Sequence, residues 1–150
     1  TNSIYAGAIY NFGAFMGTMM MSWLTVRVSL GRLIPALLVS AAVAMMTFAL
    51  VPLTLTLALV LAFVIGMTLQ GGYSGVWPLA ASVYPSRCRA TGIGIAMGIG
   101  RSGAVVGPWM GGLLIAANAP LWMLFAAYCV PLLICALAAF IIGRFSPTTA

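Results

Sequence analysis

Residues 90–118 read ATGIGIAMGIGRSGAVVGPWMGGLLIAAN, and this stretch decides the fold class. A helix needs about 20 predominantly apolar residues to cross the roughly 30 Å hydrocarbon core of a bilayer. The stretch is longer than that, and Arg101 is its single charged residue. It therefore predicts a helix that crosses a membrane.

Stretches of similar length and composition flank this segment and divide the whole chain, residues 1–150, into helices. Prolines and arginines separate them, and proline suits the start of a helix or the position just after its end. The predicted helices cover residues 3–26, 33–51, 55–84, 90–118 and 120–144. Charged residues make up only 4% of the chain, against about 25% in soluble domains. The sequence thus predicts an all-α membrane protein with about five transmembrane helices.

The charged residues are six arginines, with no lysine, aspartate, glutamate or histidine. Carboxylate-pair catalysis, His/Asp triads and carboxylate or imidazole metal sites are therefore excluded within this chain. Cys88, Cys129 and Cys135 lack metal-type spacing and are interpreted as small packing residues. The arginines form no basic stripe of the kind that binds nucleic acid. We expect no enzyme activity, no metal, no cofactor and no nucleic-acid partner.

The arginines between helices predict the orientation in the bilayer. Arg27 and Arg32 lie between the first two helices, Arg87 and Arg89 between the third and fourth, and Arg144 follows the fifth. With five spans, all of these positions fall on one side. Arginine-rich loops remain in the cytoplasm, so we expect a multi-pass protein of the bacterial plasma membrane.

Two helices present polar faces at helical spacing. Asn11 lies with hydroxyl residues on one face of the first helix, and Gly13 and Gly17 lie on another, at the spacing that allows two helices to approach closely. The alternative for the hydroxyl groups is a hydrogen bond to their own helix, whereas the amide of Asn11 favours a cavity or a contact between helices. Gln70, Tyr73 and Trp77 share one sector of the third helix, where aromatic rings and an amide suit a planar organic solute. The alternative is an aromatic belt at the membrane interface.

The fourth helix combines a glycine seam with a charge near the bilayer middle. Gly103, Gly107 and Gly111 predict tight helix packing, and Pro108 lies beside this seam. A central arginine costs at least about 2.5–3.5 kcal/mol to insert, and the chain contains no carboxylate to pair with Arg101. Its partner is either a substrate anion or, for a structural arginine, backbone groups, water or a carboxylate outside the chain.

The fourth helix and the loop before it also resemble a known family. The segments YPSRCRATGIG at 84–94, GIGRSG at 98–103 and GPWMGG at 107–112 resemble the region of the tenth and eleventh spans in the major facilitator superfamily. Within that superfamily they are most similar to the aromatic acid:H+ symporter family.

The resemblance implies that the five helices are spans eight to twelve, the C-terminal part of a transporter. The first, third and fourth helices would then line a cavity, and the second and fifth would lie towards lipid. An N-terminal half would complete the transporter and carry its proton-binding carboxylates; the chain begins at Thr1 and not at Met, which agrees with a piece of a longer protein. In the loop after the first helix, Val26 and Ser29 replace an aspartate and a glycine of the family pattern, which weakens the expected cytoplasmic charge relay.

The leading hypothesis is proton-coupled symport of a small organic anion, in particular an aromatic carboxylate, through the lipid bilayer. Arg101, Gln70, Tyr73, Trp77 and Asn11 are the expected substrate contacts. The arginines expected to act as cytoplasmic anchors and gate residues are Arg27, Arg32, Arg87 and Arg89. The alternatives are a drug or sugar transporter of the same superfamily and a membrane subunit without transport activity.

Overall fold

The computed structural model describes residues 2–51 and 54–145 as five helices joined by short loops. The other residues of the predicted region 1–150 lie outside this part. The helices are α1 (Asn2–Leu24), α2 (Leu30–Leu50), α3 (Leu55–Val83), α4 (Arg89–Ala116) and α5 (Leu121–Phe145). The prediction of an all-α fold with about five helices is confirmed.

Two helix boundaries differ from the predicted ones for identifiable reasons. The α2 helix begins at Leu30 because the Ser29 carbonyl already accepts the backbone N–H groups of Arg32 and Leu33 at 3.0 and 3.1 Å. Arg32 is therefore in the first turn of α2 and not in the loop. The α4 helix ends at Ala116, before Asn118, which adopts a left-handed φ of 52°. A left-handed residue just past the last turn is a common way to end a helix.

Close glycine contacts hold α1 and α3 together as parallel neighbours. A side chain at Gly13 would meet the backbone of Phe63, and one at Gly17 would meet the backbone of Met67. Gly66 on α3 lies equally close to the backbone of Tyr10. Small residues that allow two helix backbones to touch are a common means of helix association in membranes. The predicted packing face of the first helix is confirmed.

The α2 helix packs between α3 and α5 through one face and exposes another, so the expectation that the second helix lies towards lipid stays a prediction. Ile34 is completely buried, while Val43 on another face is 61% exposed. Leu38 contacts the position of Gly72 on α3, and Gly31 lies against Gly143 on α5. A helix that is apolar all round suits either lipid or a protein core, so its composition does not distinguish the two environments. The core residues at this junction are Met21, Leu33, Ile34, Leu38, Leu79, Ala136 and Ala139.

Within the described residues, α2, α3 and residues 121–144 of α5 are long and apolar enough to cross a membrane. The α1 and α4 helices, of 23 and 28 residues, have sufficient length, but glycine and polar residues lower their hydropathy. These are two of the helices that the sequence assigned to a cavity. Their membrane crossing stays a prediction.

The packing brings the arginine positions to one end of the bundle. The parallel α1 and α3 helices have their C-terminal ends, which precede Arg27 and Arg87, on the same side of the bundle, and α3 extends farther than α1. The contact of Gly31 with Gly143 joins the start of α2 to the end of α5, and so brings Arg32 and Arg144 to the same end. The Arg27 guanidinium lies 4.9 Å from the centre of the Trp23 ring, and Arg89 Nε donates to the Tyr84 carbonyl at 3.3 Å. The role of these arginines as anchors and gate residues stays a prediction.

We expect cysteine labelling to report this orientation. Cys88 is exposed in the loop between Arg87 and Arg89, whereas Cys129 is buried and donates to the Ala42 carbonyl. A membrane-impermeant maleimide should therefore label Cys88 in inside-out vesicles and not in intact cells. Cys88→Ser should remove the signal. Strong labelling of Cys88 in intact cells would show that the protein has the opposite orientation in the membrane.

Candidate substrate-binding faces

The predicted face of α3 forms an aromatic pair beside an amide. The rings of Tyr73 and Trp77 meet edge to face, with centroids 5.9 Å apart and an interplanar angle of 88°. Tyr73 is 53% exposed, while Trp77 and Gln70 are half-buried. The opposite side of α3 is occupied, because Gly72 and Gly75 pack against side chains of α1 and α2. The face of Gln70, Tyr73 and Trp77 is thus the side of α3 that remains accessible.

The polar face of α1 satisfies most of its hydrogen-bond donors locally. Asn11 Nδ2 donates to the Gly7 carbonyl at 2.8 Å, and Thr18 Oγ1 donates to the Ala14 carbonyl at 2.8 Å. The alternative of a bond within the same helix is therefore confirmed for the Thr18 hydroxyl, and the Asn11 amide forms the same kind of bond. Among the described residues, the Asn11 side-chain oxygen accepts no hydrogen bond. That oxygen stays exposed as an acceptor.

The structure does not bring Asn11 and Gln70 into contact. Gly13 lies beside Phe63 and Gly66 beside Tyr10, so Asn11 is level with a part of α3 that precedes Gln70 by three to nine residues. At 1.5 Å of rise per residue this is about 5–14 Å along the helix axis. A solute that touches both amides has to extend along the α1–α3 pair.

Arg101 is exposed on α4, and its guanidinium forms no hydrogen bond with the part of the chain that the structure describes. Around it, a side chain at Gly94, Gly98 or Gly100 would meet no other atom within 4 Å. No hydrogen bond links Arg101 to Asn11, Gln70 or Tyr73 within residues 2–51 and 54–145. The chain leaves the guanidinium available to a partner from elsewhere.

The predicted glycine seam of α4 packs less tightly than expected. A side chain at Gly103 would contact nothing within 4 Å, and Pro108 is exposed. Gly107 and Gly111 face the phenol of Tyr128 on α5, not the backbone of another helix. Within the described chain no other helix packs at Gly103, and close helix packing at this position stays a prediction. The reason is that α4 contacts α5 only through its C-terminal half.

Tyr128 is the residue that sequence reasoning missed. Its hydroxyl donates to the Gly107 carbonyl at 2.8 Å and so links α5 to α4. One feature of the sequence could have indicated it: Tyr128 is the one hydroxyl-bearing side chain within α5. A lone polar group in an otherwise apolar span requires a hydrogen-bond partner.

An apolar groove of about 420 Å³ lies between α2 and α5, apart from the predicted substrate residues. Its polar groups are already engaged, since Thr47 Oγ1 donates to the Val43 carbonyl and Cys129 to the Ala42 carbonyl. The described residues contain no group of three His, Cys, Asp or Glu side chains that holds a metal. These features supply no second polar site.

Comparison with known proteins points to one class of transporter. The chain is 30% identical over 144 residues to the 4-hydroxybenzoate transporter PcaK of Acinetobacter baylyi, a match that covers 91% of the chain and 30% of that protein. It is also 30% identical over 140 residues to the gentisate transporter of Corynebacterium glutamicum, covering 92% of the chain and 31% of the relative. The chain is related to bacterial aromatic acid transporters.

A third relative is the 3-(3-hydroxy-phenyl)propionate transporter of Escherichia coli, 39% identical over 80 residues, which cover 53% of the chain and 20% of that protein. No family model matches the chain. The chain spans about a third of the length of the first two relatives. The bacterial relatives and the three apolar helices identify it as a multi-pass protein of the plasma membrane.

Proposed function

We propose that the chain forms spans eight to twelve of a major facilitator transporter that carries small aromatic carboxylates into the cell together with protons. The similarity to aromatic acid transporters along nine tenths of the chain carries this proposal. Two features of the chain itself support it. They are the accessible Arg101 and the aromatic face of α3.

Arg101 supplies the charge that a carboxylate substrate requires. The chain has no acidic residue, and the guanidinium is free of hydrogen bonds within the described residues. Its planar fork matches the two oxygens of a carboxylate. We propose that the substrate carboxylate pairs with Arg101, so that the cost of a charge in the membrane is offset when substrate binds.

The aromatic ring of the substrate would bind at the face of Gln70, Tyr73 and Trp77. Tyr73 and Trp77 already meet edge to face, which leaves ring surface available for stacking. The half-buried amide of Gln70 offers both a donor and an acceptor to a ring hydroxyl, and Asn11 Oδ1 adds an acceptor farther along α1. This arrangement favours a planar, hydroxylated acid over a flexible chain.

The transport cycle would use a partner half that precedes the chain. The relatives are about three times as long as the matched region, which supports an N-terminal half of similar construction. Transporters of this kind alternate access by rocking one half against the other around a midplane site. Because α4 makes few contacts with the described chain, its glycine-rich side would pack against this N-terminal half. The arginines at one end, Arg27, Arg32, Arg87 and Arg89, would anchor and gate the cytoplasmic side.

Uptake by the full-length gene product tests this proposal. Cells that express it should accumulate labelled 4-hydroxybenzoate in a saturable manner, because the site recognises a carboxylate and a ring. Unlabelled gentisate should compete and glucose should not. A protonophore should abolish accumulation, because the proton gradient drives symport.

The result also separates the alternatives. Uptake equal to that of cells with empty vector, together with reduced accumulation of a cationic dye, would favour a drug exporter. A full-length gene product without further spans would favour a membrane subunit with no transport activity. Either outcome contradicts the proposal.

A further inference from the structure

Within the described chain, the contacts of the α4 glycines with other helices lie at the start of α4 and in its C-terminal half. At its start, a side chain at Gly92 would meet the ring of Tyr84 at 2.7 Å, and Arg89 is bonded to the Tyr84 carbonyl. In its second half, the contacts come from α5. Between them, the glycines from Gly94 to Gly103 have no atom of another helix within reach of an added Cβ. The position of this middle part, which includes Arg101, is set by the contacts at the ends.

The contact in the second half is specific, and we call it the tyrosine contact: the phenol of Tyr128 with Gly107 and Gly111. The hydroxyl donates to the Gly107 carbonyl at 2.8 Å. A Cβ at Gly111 would lie 2.6 Å from the same oxygen, and a Cβ at Gly107 would lie 3.7 Å from the ring. The two glycines thus form a notch for the phenol. Any larger residue at position 111 displaces it.

The chemistry of the neighbouring turn gives this bond additional weight. Pro108 directly follows Gly107 and has no N–H group, so the carbonyl of Ala104, four residues earlier, loses its helical donor. The Gly107 carbonyl faces the Gly111 N–H in the helix, and the Tyr128 hydroxyl is a further donor to it. Tyr128 therefore ties α4 to α5 within one turn of the bond that Pro108 removes, and does not replace that bond.

We infer that Tyr128 is a positioning residue that fixes the location of Arg101 through the tyrosine contact. Arg101 precedes Gly107 by six residues, about 9 Å along α4, and the glycines nearer to it meet no other helix in the described part of the chain. A shift of α4 at the tyrosine contact moves the guanidinium relative to the α3 face. This inference rests on the proposed function, in which Arg101 binds the substrate carboxylate.

Tyr128→Phe and Gly111→Ala test the inference by transport kinetics in the full-length protein. Tyr128→Phe keeps the ring and removes the hydroxyl, so the KM for 4-hydroxybenzoate should rise about threefold, the effect of an average interhelical hydrogen bond in a membrane protein. Gly111→Ala should raise it at least about tenfold because the phenol is expelled. The double variant should match Gly111→Ala alone. Gly112→Ala, where an added Cβ meets nothing within 4 Å, should equal wild type.

A distance measurement distinguishes this inference from the proposed function. Spin labels at Ile99→Cys on α4 and Val43→Cys on α2, both on exposed positions, are introduced after replacement of the native cysteines. Tyr128→Phe should broaden the distance distribution, and Gly112→Ala should not. If the distribution is unchanged by Tyr128→Phe, the inference is wrong, whatever the KM. If the wild type does not transport the acid, the proposed function is wrong. The distance distribution then tests on its own whether Tyr128 fixes the position of α4.

Discussion

Replacing Gly17 with leucine is expected to destroy the packing of α1 against α3. Any side chain at this position meets the backbone of Met67, and backbone cannot move aside as a flexible side chain can. Overpacking a well-fitted contact costs about 1–3 kcal/mol or more, a large part of the 5–15 kcal/mol that stabilises a typical protein. We expect a strong loss of monodisperse protein and a lower melting temperature. Size-exclusion chromatography in detergent and a thermal scan measure both.

Gly7→Ala is the matched control for this variant because it lies on the same helix. An added Cβ at Gly7 meets nothing within 4 Å, and alanine favours helix by about 1 kcal/mol over glycine. The control should therefore be as stable as wild type or slightly more so. If Gly17→Leu behaves like Gly7→Ala, the α1–α3 contact is not as close as described.

Replacing Arg101 with alanine is expected to remove most of the uptake of aromatic acids. Loss of one partner from a desolvated ion pair costs about 2–5 kcal/mol, which corresponds to at least about a 30-fold loss of affinity. Arg101→Lys keeps the charge but not the planar fork, so it should retain partial activity. Initial rates of uptake over a range of 4-hydroxybenzoate concentrations measure the effect. Arg144→Ala, at the far end of α5, is the control and should leave the KM unchanged.

The sequence predicted the helices and several of their faces because these depend on local periodicity. Gly13 and Gly17 at four-residue spacing indicated a packing face, and they do contact α3. Tyr73 and Trp77 at the same spacing indicated an aromatic face, and their rings do meet. Periodicity shows which residues share a side of a helix, and that was sufficient in both cases.

The sequence could not predict which neighbour covers each face. The α2 helix has apolar residues all round, so nothing in its pattern distinguishes the buried Ile34 from the exposed Val43. The seam of Gly103, Gly107 and Gly111 has the same spacing as the glycines of α1, yet within the described residues it meets side chains of α5, mainly the Tyr128 phenol, and no helix backbone. The difference arises from long-range packing, which a local pattern does not contain.

The substrate roles of Asn11, Gln70, Tyr73, Trp77 and Arg101 depend on a second kind of long-range information. These residues lie on α1, α3 and α4, and the described contacts join only Tyr73 and Trp77. In the proposed transporter, a partner half and a bound solute bring the others to one cavity. Their roles therefore stay predictions, and the similarity to aromatic acid transporters identifies which solutes to test.

Binding of an acid and its amide to the purified full-length protein tests most directly whether Arg101 pairs with a carboxylate. The dissociation constants of 4-hydroxybenzoate and 4-hydroxybenzamide are compared in wild type and in Arg101→Ala at one pH. The wild type should prefer the acid by at least about 30-fold because the amide carries no charge to pair with Arg101. The variant should lose that preference because it lacks the guanidinium. An equal preference for the acid in both proteins would contradict the account.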